Sequence, residues 1–112
     1  MIDARIYIWQ RLSAMIMIPL VLGHLAVMIY AIEGGLSVGE ILGSTQGSLV
    51  WLIFYGSFVL AVSAHAGLGL GIISAEWFGL TPKIASLLGM AVGLILLAMG
   101  SHAIWAVTFA LP

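Results

Sequence analysis

The segment that decides the fold is residues 51–77, WLIFYGSFVLAVSAHAGLGLGIISAEW, which carries a single histidine in an almost wholly apolar or small-residue run. His65 lies near the middle of this segment, and Glu76 and Trp77 stand at its end. A run of this length is typical of a membrane-spanning helix, because about 20 helical residues cross the ~30 Å hydrocarbon core. An imidazole at mid-depth is costly without a partner, so His65 is a candidate functional residue.

The whole chain has the composition of an integral membrane protein. Of its 112 residues 63% are hydrophobic and only 6% are charged, whereas a soluble domain carries about 25% charged residues. Three stretches, 12–32, 41–75 and 84–112, contain no Asp, Glu, Lys or Arg. We therefore predict an all-α membrane protein with transmembrane helices over about residues 11–32, 48–77 and 83–109, forming a single membrane-anchor domain over residues 1–112. A signal peptide is the rival interpretation of the first stretch, which is too long for an h-region and is followed by no small-residue cleavage site.

Charge and cysteine content exclude several classes of function. The net charge is −1 and no basic cluster is present, so nothing indicates a nucleic-acid partner or a patch for acidic lipids. The chain has no cysteine, which excludes disulfides, thiolate metal sites and thiol–quinone chemistry. Three spans with short loops make only a thin bundle, and we expect a partner chain to complete it.

Turn and cap signals divide the chain between the spans. Gly34-Gly35 is expected to end the first helix. Ser37 and Glu40 have the spacing of a capping box, which predicts a short interfacial helix over about residues 37–42. Gly79 is expected to end the second span, and Thr81-Pro82 has the N-cap and first-turn pattern of a new helix.

The few basic residues predict the orientation in the membrane. Arg5 and Arg11 precede the first span and Lys83 follows the second, while the first loop carries Glu33 and Glu40 but no cation. The positive-inside rule then places the N-terminus and the second loop in the cytoplasm and the C-terminus on the opposite, periplasmic side.

Helical spacing puts His65 on one face of the second span. Gly69 follows it by one turn and leaves room for a bulky planar group or for a close helix. From spacing alone, a structural histidine and a cofactor ligand remain equally open interpretations. The residues that share this face are Tyr55, Phe58, Val62, His65, Gly69, Ile72 and Glu76.

Two motifs resemble those of a known family. The run 9–14, WQRLSA, resembles the "W-x-Q-R-x-S/T-A" entry of the small membrane anchor of succinate dehydrogenase. His65-Ala66-x-x-Gly69 followed by Glu76-Trp77 resembles the "H-A-x-x-G … D-Y" run of that subunit. Chain length, three spans and loop sizes agree too, so the resemblance covers nearly the whole chain.

The resemblance implies a hydrophobic anchor subunit of complex II, the succinate dehydrogenase or fumarate reductase of the bacterial cytoplasmic (inner) membrane. Such an anchor holds the flavoprotein and iron–sulfur subunits at the membrane. It binds heme b and a quinone (ubiquinone or menaquinone) together with a second anchor, the cytochrome b subunit, and serves electron transport from the tricarboxylic acid cycle. The chain itself lacks the Gly-rich nucleotide fingerprint and the cysteines of the succinate-oxidising subunits, and no residue of it is expected to be catalytic.

The resemblance also implies roles for individual residues. His65 matches the position of one axial ligand to the heme iron, with the other ligand supplied by the partner anchor. Iron held by two imidazoles is a low-spin electron carrier. Arg11 and Ser13, at the cytoplasmic mouth, would hydrogen-bond a quinone carbonyl or a heme propionate, although lipid anchoring also explains Arg11.

The pair Glu76-Trp77 departs from the acid–tyrosine pair of the family. A tyrosine hydroxyl both donates and accepts hydrogen bonds, whereas an indole only donates. Trp77 is therefore expected either to donate to a quinone carbonyl or to serve as an interfacial belt residue. Glu76 could pass protons to the quinone.

Two further histidines lie toward the opposite side of the membrane. His24 is ~20 Å beyond Arg11 and His102 is ~28 Å beyond Lys83 along their helices. His24 is a candidate ligand of a second heme, although a packing role is favoured for it and an interfacial, wetted position for His102.

Two other classes of function compete with the anchor. A small transporter or channel subunit would need pore-lining acids or broken helices within the spans, and the four acids of the sequence lie at or beyond the ends of the spans. The remaining alternative is a scaffold peptide of another membrane complex. Such a peptide would have no need of three intramembrane histidines.

Overall fold

The protein is described by a computed structural model over residues 4–109, which form four helices. These are α1 (Ala4–Glu33), α2 (Val38–Thr45), α3 (Leu49–Phe78) and α4 (Pro82–Thr108). The fold is all-helical, as predicted. Helices α1, α3 and α4 are 30, 30 and 27 residues long and apolar enough to cross a membrane, which indicates a membrane protein.

The first helix begins earlier than the predicted span. Helix α1 starts at Ala4, whereas the span was predicted to begin at about Arg11. No Pro or Gly interrupts residues 4–10, so the backbone continues the helix through this polar and aromatic lead. The hydrophobic stretch therefore predicts where the membrane-spanning part begins, not where the helix begins.

The predicted helix starts are confirmed by their caps. The Ser37 Oγ accepts the Glu40 N–H at 3.2 Å, and the Glu40 carboxylate accepts the Ser37 N–H at 3.3 Å. The short helix that follows extends to Thr45, three residues past the predicted end at residue 42. Thr81 caps α4 through its Oγ1, which accepts the Ile84 N–H at 3.4 Å, and Pro82 is the first helical residue.

The predicted helix ends are confirmed too. Gly35 and Gly79 have φ values of +61° and +66°, in the left-handed region that glycine adopts without strain. Beyond α1 the Leu36 N–H donates to the Ala31 carbonyl at 3.0 Å, which is the closing bond of a Schellman turn.

Helix α3 lies in the centre, with α1 on one side and α4 on the other. The α1–α3 pair is antiparallel, because Ser13 meets His65 while Gly23 meets Phe54. The predicted face of α3 is the side that contacts α1: its members Tyr55, Phe58, His65 and Gly69 each touch an α1 residue.

The α3–α4 contact is built from small residues at four-residue steps. A Cβ on Gly67 would lie 2.9 Å from the Gly89 carbonyl oxygen, and one on Gly71 would lie 3.3 Å from the Ala85 carbonyl oxygen. Such close backbone approach is what allows apolar helices to associate in a membrane, where there is no hydrophobic driving force between them. In the sequence, the signal for this contact is the pair of repeats Gly67-x₃-Gly71 and Gly89-x₃-Gly93, which was not among the expectations above.

Helix α2 closes one end of the bundle. The Thr45 Oγ1 donates to the Val107 carbonyl at 2.8 Å, and the Gly47 N–H donates to the Thr108 carbonyl at 3.0 Å. These bonds satisfy carbonyl groups that the last turn of α4 would leave without partners. The α3–α4 turn lies at the other end, next to the start of α1.

Candidate functional site

His65 meets α1 through Ser13. The Ser13 Oγ lies 3.3 Å from the His65 Nδ1, and the same oxygen donates to the Gln10 carbonyl at 3.0 Å. Ser13 is buried, with 6% of its surface exposed. A hydroxyl has one hydrogen. Which of Ser13 Oγ and His65 Nδ1 donates depends on the tautomer of the imidazole, and the contact engages Nδ1 and not Nε2.

The Nε2 of His65 remains available. Among the described residues, the enclosed polar side-chain atoms without a hydrogen-bond partner are Gln10 Oε1, His24 Nδ1 and Ser63 Oγ. His65 Nε2 has no hydrogen bond among the described contacts and is not one of these enclosed atoms. It therefore keeps some accessible surface.

The room beside His65 is occupied by α1. A Cβ on Gly69 would lie 2.9 Å from the Gln10 Nε2, so this glycine admits the glutamine amide. Of the two expectations for Gly69, a planar group or a close helix, the structure shows the helix. The Oε1 of the same amide is enclosed and without a partner, one turn along the contact from His65.

His24 lies at a different depth, in an aromatic setting. Its ring is 5.7 Å from the Tyr55 ring, edge-on, and 5.3 Å from the Phe58 ring. It stands eleven residues after Ser13, which is ~16 Å along the helix axis. His24 and His65 thus lie on facing helices at separate levels. His102 is exposed on α4.

The four residues predicted to bind a quinone or a propionate do not form one cluster. Ser13 faces α3, while Arg11 is exposed and its guanidinium lies 5.4 Å from the centre of the Tyr7 ring. Residues two apart on a helix point in nearly opposite directions, which explains the separation. Trp77 is 79% exposed, and Glu76 lines a groove.

That groove is a large concave feature of the described residues. It has a volume of about 790 Å³ and is formed by α3, α4 and the first turns of α1. Its lining on α3 extends from Leu60 to Glu76, a separation of ~24 Å along the helix. Most of the lining is apolar, and Trp9 and Glu76 stand at the end where α1 begins. Sequence reasoning missed the groove, because only the packing of three helices creates it.

Within residues 4–109 no group of three or more His, Cys, Asp or Glu side chains is arranged to hold a metal ion. The candidate site is therefore a single imidazole with one supporting hydroxyl. Comparisons of the chain with protein-family models, with curated proteins and with solved structures find no match.

Proposed function

We propose that the chain is a membrane anchor subunit of a succinate:quinone oxidoreductase, in which His65 would bind the iron of heme b. The observation that carries the proposal is the Ser13–His65 contact, which engages Nδ1 and not Nε2. Metal-binding histidines nearly always donate their other ring N–H to an oxygen in this way. The two family-like motifs, WQRLSA and HAGLG followed by Glu76-Trp77, support the same assignment.

His65 fits the role of a heme ligand by its position as well. It lies sixteen residues from the start of α3 and thirteen from its end, so the membrane surrounds it on both sides. Heme b supplies one-electron transfer when bound. His65 would bind the iron, Ser13 would orient the imidazole, and a second anchor subunit would supply the other ligand and cover the exposed Nε2 side.

The quinone belongs, in this proposal, at the end of the bundle where α1 begins and α3 ends. The guanidinium of Arg11 and the indole of Trp77 are donors for a quinone carbonyl, and the carboxylate of Glu76 is a route for protons. Ser13 could donate there only if its hydroxyl turned away from Gln10. The apolar groove beneath Glu76 suits the long hydrocarbon chain of ubiquinone or menaquinone.

The proposed setting is the bacterial cytoplasmic membrane, with the N-terminus and the α3–α4 turn on the cytoplasmic side. Arg5, Arg11 and Lys83 support this orientation. The flavoprotein and iron–sulfur subunits would then dock at the cytoplasmic end, next to the proposed quinone site.

The test is a reduced-minus-oxidised visible spectrum of the complex that co-purifies with the tagged chain. We expect a low-spin b-type signal together with covalently or tightly bound flavin and succinate–dye reductase activity. A complex with the flavin and the activity but no b-type signal would overturn the heme assignment. A complex with neither would overturn the anchor function and return the chain to the transporter or scaffold classes.

A further inference from the structure

We infer that Ser13 is a positioning residue for His65: its hydroxyl holds the imidazole in the Nδ1–H tautomer and presents Nε2 to the cofactor. This role differs from the one expected from the family resemblance, in which Ser13 hydrogen-bonds a quinone carbonyl or a heme propionate. The inference deepens the proposed function and rests on it only for the identity of the cofactor. The hydrogen bond itself concerns this chain alone.

The direction of the two hydrogen bonds follows from what each group can donate. The Ser13 Oγ lies 3.0 Å from the Gln10 carbonyl and 3.3 Å from the His65 Nδ1. Both contacts are hydrogen bonds only when the single hydroxyl hydrogen goes to the carbonyl, which can only accept, and Oγ accepts from an Nδ1–H of His65. Serine hydroxyls in helices commonly bond a carbonyl three or four residues back in this manner.

Ser13 is also buried. With 6% of Ser13 exposed, water and lipid headgroups have little access to compete for its oxygen. Leaving a buried donor or acceptor of this kind without a partner costs free energy. The bond therefore favours the Nδ1–H tautomer of the neutral ring, in which Nε2 carries the lone pair.

The register of α1 against α3 is fixed by contacts on both sides of the Ser13–His65 pair. One turn toward the start of α1, the Gln10 amide lies over Gly69, where no side chain could be accommodated without displacing it. Toward the other end, a Cβ on Gly23 would lie 3.0 Å from the Phe54 ring, and His24 packs on Tyr55. Ser13 cannot slide along α3 without breaking these contacts.

The test uses the full chain in lipid nanodiscs, labelled with ¹⁵N-histidine, and reads the tautomer of each imidazole from its nitrogen chemical shifts. The His65 signals are identified by their absence in His65→Ala. We expect Nδ1–H for His65 in the unmodified chain, a shift toward Nε2–H in Ser13→Ala, and retention of Nδ1–H in Ser13→Thr. The matched control is Ser63→Ala, since Ser63 is equally buried but has no hydrogen-bond partner.

An Nε2–H tautomer in the unmodified chain would overturn the inference, as would a His65 signal that Ser13→Ala leaves unchanged. Circular dichroism of each variant shows whether the helices are intact, so that a change of tautomer is not confused with misfolding.

A second measurement links the pair to the cofactor. Loss of a hydrogen-bond partner to a metal-binding histidine typically weakens metal binding about 10- to 100-fold. We expect heme affinity of the complex to fall by that factor in Ser13→Ala and to remain within a few-fold in Ser13→Thr and Ser63→Ala. If the unmodified complex takes up no heme while the tautomer still responds to Ser13→Ala, the proposed function fails and the pairing stands.

Discussion

Gly89 of α4 faces Gly67 of α3 so closely that a methyl group on Gly89 would overlap the Gly67 carbonyl oxygen. The same methyl group would also come within 3.3 Å of the Cα of Gly71. Backbone meets backbone here with no side chain between, and this contact holds α3 and α4 as one antiparallel pair. His65 projects toward α1, on another side of α3.

The substitution Gly89→Ala is expected to destabilise the bundle. The added methyl group must push α3 and α4 apart, and overpacking of this kind costs about 1–3 kcal/mol. The matched control is Gly56→Ala, because a Cβ on Gly56 has no atom within 4 Å and alanine favours a helix by about 0.5–1 kcal/mol. Thermal unfolding in detergent compares the two. Equal Tm values for both variants would contradict the close α3–α4 contact.

His65→Ala is expected to abolish the low-spin b-type spectrum of the complex. The iron would lose one of its two imidazole ligands, so the heme would be released or become high-spin. His102→Ala serves as the control, since His102 is exposed and its ring stacks on Trp105. A normal low-spin spectrum in His65→Ala shows that another residue holds the iron.

His24→Phe is expected to leave the heme content unchanged. His24 packs against the Tyr55 and Phe58 rings, and its Nδ1 is enclosed without a partner. An apolar ring removes that unmade hydrogen bond, so the free energy of unfolding should stay within about 1 kcal/mol of the original or rise. The heme-to-flavin ratio of the purified complex is the measurement. A fall of this ratio by half would instead assign His24 to a second heme.

Trp77→Leu is expected to weaken quinone reduction while leaving succinate oxidation by a dye acceptor intact. The substitution removes an indole N–H that we propose donates to the quinone carbonyl, at a cost of about 1–3 kcal/mol of binding. Trp105→Leu is the control, because Trp105 is an exposed tryptophan near the opposite end of the bundle. Unchanged quinone kinetics in Trp77→Leu would move the headgroup to the partner chain or to the other half of the membrane.

The orientation predicts where reporters attached to the chain are active. After Pro112, a reporter that works only outside the cytoplasm should be active, and one that works only in the cytoplasm should be inactive. For a reporter inserted at Gly79 we expect the opposite result. The reason is the placement of Arg5, Arg11 and Lys83 at one end of the spans. A C-terminal fusion that is active in the cytoplasm would contradict the predicted orientation. The quinone site would then lie on the opposite side of the membrane from the one proposed.

Sequence alone determined where the helices of this protein lie along the chain, because the signals for helix starts, helix ends and apolar spans are local. Long apolar stretches predict the three spans. Capping motifs such as Ser37 with Glu40, and Thr81 before Pro82, mark the helix starts, because the residues of each motif lie within one turn of the start. The position of His65 midway along α3 was readable for the same reason, since depth in a membrane follows from residue count along one helix.

The tertiary structure decided which helix faces each of these residues. Ser13 and His65 are 52 positions apart, and nothing local to either residue indicates that they meet. Arg11 and Ser13, neighbours in sequence, were grouped by depth, yet they point to different sides of α1. Likewise the glycine repeats predict a close helix contact but not its partner. Which helices pack side by side depends on the complementary shapes of segments that are distant in sequence. Gly69 and Gln10 are an example, because the glutamine amide occupies the space left by the missing side chain of Gly69. Such contacts can be seen only once the helices are packed together.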